Sequence, residues 1–130
     1  MFEAIVAAID GSGYDRKTLD AANELSGLAN ATVRVVHVRQ SDVSEEREDA
    51  KALVDRAVAG LVAGGVAATG TVRPSPDGQV AQEILNEAAK CGASVIVMGC
   101  RGLGDLTGLL IGSTAHEVLR LGRLPVLLVR

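Results

Sequence analysis

The sequence predicts an α/β fold: an open, mostly parallel sheet with helices on both faces, a three-layer α/β/α sandwich. Three observations carry this. Apolar runs of strand length alternate with segments whose apolar residues recur at helical spacing, the signature of βαβ units. Two of the runs, Ala4 to Ile9 and Val95 to Met98, are continuously apolar, as strands covered on both faces are. No repeat or linker interrupts the 130 residues, which therefore read as a single domain over 1–130. Right-handed crossovers between successive strands then distribute the helices over the two sides.

The elements follow in order. Ala4 to Ile9 is a buried strand, ended by the turn residues Asp10-Gly-Ser-Gly13. Leu19, Ala22, Leu25 and Ala29 recur at helical spacing, so a helix runs from Tyr14 or Asp15 to about Asn30. Thr32 to Val38 is the second strand. The polar stretch Gln40 to Asp49, whose acidic part from Ser44 is a solvated helix beginning, leads into the stripe Ala50, Leu53, Val54, Ala57, Val58 and Leu61; Gly64-Gly65 ends that helix. Val66 to Val72 is a third strand, softened by Gly70, and Pro74 to Gly78 is a loop. Val80 to Lys90 forms a third helix with Ala81, Ile84, Leu85 and Ala88 on one face. The fourth strand is Ser94 to Met98. The fourth helix runs to Leu121, capped by Ser113 or by Thr114, which has Glu117 three residues on in the capping-box arrangement. Val126 to Val129 is the last strand.

Composition removes several classes of function. Phe2 and Tyr14 are the only aromatic residues, so a stacking platform for single-stranded nucleic acid is missing. Thirteen basic against 16 acidic residues give a net charge of −3, without a basic cluster to attract nucleic acid or anionic lipid. No apolar run approaches the roughly 20 residues that cross a bilayer, and the N-terminus lacks the pattern of a signal peptide, so the expected location is the cytoplasm. Cys91 and Cys100 lie at opposite ends of one strand, beyond disulfide reach, and no His or carboxylate cluster makes them a metal site.

The informative segment is Gly99-Cys-Arg-Gly102, nine residues, then Gly112-Ser113. It joins a buried strand to a helix. Glycines let a backbone approach a ligand closely, and a helix start offers unpaired N–H groups and a positive dipole end to an anion. The pattern is a phosphate cradle at the carboxyl rim of the sheet, where such folds bind ligands. It is not a Walker loop, because no lysine lies between Gly99 and Gly112. Nor is Gly102-Leu-Gly104 with Gly108 a dinucleotide fingerprint, because it follows the fourth strand, not the first.

Gly-x2-Gly-x9-Gly-Ser from Gly99 to Ser113 resembles the ATP-binding signature of the universal stress protein family. Asp10-Gly-Ser12, His37-Val38, Val97-Met-Gly99 and Leu124-Pro-Val-Leu-Leu-Val129 resemble that family's landmarks too, so the likeness covers essentially the whole chain. It implies a five-stranded sheet in the order 3-2-1-4-5, adenine nucleotide alpha hydrolase-like, with ATP between strands one and four. It implies that Asp10, with Gly11 and Ser12, lies by the ribose or by a phosphate-bound Mg or Mn, and that Val38 meets the adenine edge through its backbone. Met98, Gly99, Arg101 and Gly102 would line the phosphate side with Gly112, Ser113 and Thr114. Pairing of the last strands, Val126 to Val129, would make a homodimer, which suits an apolar edge strand. An unidentified protein partner is expected. The chain departs from the pattern at Cys100, where serine or threonine is common and a thiol is expected beside the ligand, in the extra glycines Gly104 and Gly108, and in the segment from Pro74 to Gly78.

Individual residues carry plainer readings as well. Asp10 suits an Asx turn ahead of a helix as well as a ligand contact. Arg101, the sole cation between Gly99 and Gly112, suits a phosphate. His37 reads as a core or edge histidine and His116 as structural, neither as a catalytic base. Gly112 is expected on an exposed loop, where a larger side chain would block the ligand with little loss of fold. With only Asp10 and Asp105 available as acids near the motif, fast turnover is not expected. The resulting expectation is an ATP-binding regulatory dimer of the stress response. The alternatives are a slow ATPase or autokinase using the same site, or a flavoprotein-like nucleotide-binding subunit.

Overall fold

The structure, a computed structural model, describes residues 3–101 and 111–130. Five strands alternate with four helices: β1 (Ala4–Ala8), α1 (Asp15–Ala29), β2 (Thr32–Arg39), α2 (Ser44–Ala63), β3 (Ala68–Pro74), α3 (Val80–Lys90), β4 (Val95–Gly99), α4 (Ser113–Leu121) and β5 (Val126–Val129). All pairings are parallel, in the order β3-β2-β1-β4-β5. This is the expected sheet.

The alternation of side chains along the strands builds two cores. Ile5, Ala7, Val33, Val35, Val95 and Val97 face one side, where Ala22 of α1 and Val54, Ala57 and Leu61 of α2 cover them. Val6, Ala8, Val36, Val38, Ile96 and Met98 face the other, under Ala81, Ile84 and Ala88 of α3 and Ala115 and Val118 of α4. Central strands sandwiched in this way need apolar residues at consecutive positions, which is why β1 and β4 read as unbroken runs.

Several boundaries differ from the sequence reading for local reasons. Strand β3 starts at Ala68, because the Val66 N–H is spent on the Leu61 carbonyl at the end of α2 (3.0 Å). Gly70 does not soften the strand so much as admit the helix: a Cβ there would stand 2.4 Å from Val54 Cγ1 and 2.8 Å from Val58 Cγ2. Helix α2, by contrast, begins at Ser44 as expected, with the negative charge of the acidic stretch at the positive helix end. Ser75, buried in the loop after β3, accepts the Gln79 N–H ahead of α3 (2.9 Å).

Under α3 lies a charged cluster. Glu87, 1% exposed, takes Arg34 Nε at 3.1 Å and Arg73 Nη1 at 2.8 Å, while Arg73 Nε reaches Glu83 at 2.9 Å. Burial alone would push the Glu87 carboxyl up, but the hydrogen bonds and charges of Arg73 and Arg34 together outweigh it and hold the group below its ordinary value. The cluster ties β2 and β3 to α3.

Candidate functional site

Strand order reverses at β1: the chain leaves it for β2 on one side and later returns to β4 on the other. The carboxyl ends of β1 and β4 therefore flank a crevice at the rim of the sheet. A cavity of about 80 Å³ occupies it, lined by the loop after β1, the ends of β2 and β4, and the first turns of α3 and α4. Asp10, Ser12, Val38, Met98, Gly99, Arg101, Gly112, Ser113 and Thr114 all line it. Gly11 does not, and Gly102, Gly104, Asp105 and Gly108 lie outside the described residues.

The wall after β1 is held by its own hydrogen bonds. The Asp15 carboxylate accepts the N–H groups of Asp10 (3.1 Å) and Gly11 (2.7 Å), Asp10 Oδ1 accepts that of Ser12 (2.9 Å), and Ser12 Oγ accepts that of Tyr14 (3.2 Å). Asp10 thus makes the Asx turn foreseen for it and lines the cleft as well. Burial, partly offset by those two amides and reinforced by the neighbouring Asp10 carboxyl, raises the Asp15 carboxyl above its ordinary value.

The facing wall is the start of α4. Its N-cap is Gly112, so Ser113 and Thr114 are the first helical residues and neither side chain caps the helix. The expected capping box is absent too, for Glu117 instead holds Arg120 through two hydrogen bonds of 3.0 and 2.8 Å. The first intrahelical bond runs from His116 N–H to the Gly112 carbonyl (2.9 Å), which leaves the N–H groups of Ser113, Thr114 and Ala115 without a partner inside the helix. These three residues line the cleft beside Arg101. Helix-start amides, a helix dipole and a guanidinium on one wall suit an anion.

One glycine expectation needs correction. Gly112 is buried, and its N–H is spent on the Cys100 carbonyl, so it shapes the helix start and a larger residue there would disturb packing as well as ligand approach. Gly99 is required by the protein itself: a Cβ there would stand 2.8 Å from Tyr14 Cβ and 3.0 Å from the Arg101 carbonyl oxygen. Cys100 is corrected as well. It is 8% exposed and does not line the cavity, because its peptide group is locked between β5 and α4 by bonds to Val129 and Gly112.

The third wall is apolar: Ala8, Val36, Val38, Val80, Ile84 and Met98. His37 points elsewhere. Its Nδ1 donates to the Ile9 carbonyl (2.9 Å), which fixes it as a structural histidine joining β1 and β2. Sequence reasoning missed Tyr14, Asp15, Val80 and Ile84 as cleft residues. Ile84 and Val80 are four apart on one helix face, a signal that was legible as core packing; nothing in the sequence marked Asp15 as more than a helix beginning.

Comparison with known proteins settles the kinship. The sequence profile of the Universal stress protein family matches residues 1–130. The chain belongs to that family. It is 32% identical to the universal stress protein YxiE of Bacillus subtilis (strain 168), with both chains fully covered. The structure superposes on that of a universal stress protein family member from Burkholderia pseudomallei with a TM-score of 0.79 at 30% identity, covering 98% of this chain and 96% of that one. It matches the fold of the Archaeoglobus fulgidus universal stress protein, solved in complex with dAMP, with a TM-score of 0.80 at 22% identity over 100% of this chain and 98% of that one. Among the described residues, no helix is long and apolar enough to cross a membrane, and no group of three or more potential metal ligands gathers.

Proposed function

We propose that this universal stress protein binds an adenine nucleotide, ATP foremost, in the crevice between β1 and β4, and that it acts as a nucleotide-dependent regulatory dimer. The observation that carries the reading is the opposition of walls: amides of Ser113, Thr114 and Ala115 that have no partner inside the helix, with Arg101, on one side, and an apolar slot of Val36, Val38, Val80 and Ile84 on another. Phosphates suit the first and a purine the second. The dAMP complex of the Archaeoglobus fulgidus relative supports a nucleotide of this class.

Sites for small organic ligands usually enclose roughly 300–1,000 Å³. The cavity is about 80 Å³, so the proposal includes a widening of the crevice on binding. Occupancy thereby changes the rim, which gives bound nucleotide a means of altering the surface offered to a protein partner. Mg or Mn would enter with the phosphates, with Asp10 as the carboxylate assigned to it. The dimer would form along the outer edge of β5, an edge strand on which Leu127 is 43% exposed.

Equilibrium binding of ATP, ADP, AMP and GTP, with mass spectrometry of ligand released from the purified protein, tests the site. Saturable binding of adenine nucleotides in preference to GTP is the expected result. Absence of binding by any adenine nucleotide overturns the proposal, and steady release of ADP from ATP with Mg²⁺ would turn the binder into an ATPase. Leu127→Lys should shift the mass measured by light scattering from dimer to monomer; an unchanged mass removes the β5 interface.

A further inference from the structure

The two polar ends of the cleft differ in the state of their amides. At α4, the N–H groups of residues 113–115 have no partner inside the helix. After β1, the N–H groups of Asp10 and Gly11 turn to one carboxylate, that of Asp15, bonding its Oδ1 at 3.1 Å and its Oδ2 at 2.7 Å. Converging amides of this kind hold anions; here the chain supplies the anion. Asp10 and Asp15 both line the cleft, each within hydrogen-bonding reach of the other.

A carboxylate wall accepts hydrogen bonds and cannot donate them, so it matches hydroxyl groups and opposes phosphate oxygens. With the base against the apolar slot and the phosphate at α4, the sugar's hydroxyl edge is the part of a nucleotide left to face the β1 loop. We infer that Asp15 is a specificity-determining residue that, by filling the amide nest of this loop, admits nucleotides phosphorylated on the 5′ oxygen and rejects those carrying phosphate on the 2′ or 3′ oxygen. The inference rests on the nucleotide reading above and deepens it.

The test compares 5′-AMP with 3′-AMP on the full chain by calorimetric titration. The wild-type protein should bind 5′-AMP about tenfold tighter or more, a ratio that shrinks as salt is raised because its origin is repulsion between charges. Asp15→Asn and Asp15→Ser, checked for folding by circular dichroism, should each reduce the ratio about fivefold, since one removes the charge and the other also vacates the amides. A wild-type ratio near one, a ratio indifferent to salt, or folded variants that keep the wild-type ratio would each overturn the inference while 5′-AMP binding itself upheld the nucleotide site. Failure of 5′-AMP and 3′-AMP alike to bind the wild-type chain would sink the nucleotide reading and this inference with it.

Discussion

Tyr14 lies across Gly99, so closely that a Cβ on the glycine would meet the tyrosine Cβ at 2.8 Å. This contact joins the start of α1 to the end of β4, and both ends line the crevice. The rim is thus braced by an aromatic side chain over a position that admits only hydrogen.

Gly99→Ala should therefore displace Tyr14 and the first turn of α1. Overpacking of this kind costs about 1–3 kcal/mol, and the Asp10 to Asp15 loop should lose its geometry with it. Urea denaturation and nucleotide titration check both effects; a variant with wild-type midpoint and affinity would show that the brace is not needed.

Glu87 makes stability depend on acid in a defined direction. Its folded carboxyl titrates below the ordinary value of 4.5, because Arg73 and Arg34 outweigh the effect of burial. The unfolded chain therefore takes up this proton first as pH falls. The contribution is complete above about pH 4.5 and is lost as pH drops through the lowered folded value. Glu87→Gln should cost about 1–3 kcal/mol at neutral pH, the arginines being partly wet, and the gap to wild type should close in acid. A gap that stays constant from pH 7 to acid would refute the assignment.

The two thiols should report on the rim separately. Cys91 is half-buried, and burial together with the nearby Glu87 charge pushes its thiol above the ordinary 9.0. Its alkylation at pH 8 should be slower than that of an unhindered thiol, but faster than that of buried Cys100. Because the Cys100 peptide ties β5 to α4, nucleotide held at the start of α4 should slow Cys100 further and leave Cys91 unchanged. Equal protection of both thiols would contradict this.

The strands and helices were legible because burial imposes a period. The unbroken apolar runs of β1 and β4 and the stripe from Ala50 to Leu61 could not be read otherwise, and α3 matched its expected span of Val80 to Lys90. Gly112 and Cys100 were misread because exposure depends on what lies across the chain, here the pairing of Cys100 with Val129 and of Gly112 with Cys100. The cap of α4 was misplaced by one residue for a related reason: Gly112 anchors the helix through that backbone bond, and Glu117 finds Arg120 in place of Thr114.

By itself the sequence determined the class of fold, the βαβ succession and the rim of the sheet at which the glycine-rich segment begins, since these follow from local periodicity and from the fixed hand of crossovers. Only the tertiary structure decided how the amides there are paired. Asp15 turns back to fill those of Asp10 and Gly11, whereas the first turn of α4 leaves its own without a partner inside the helix. Hydrogen-bond satisfaction is settled by distances between segments brought together in space, and no spacing along the chain encodes it.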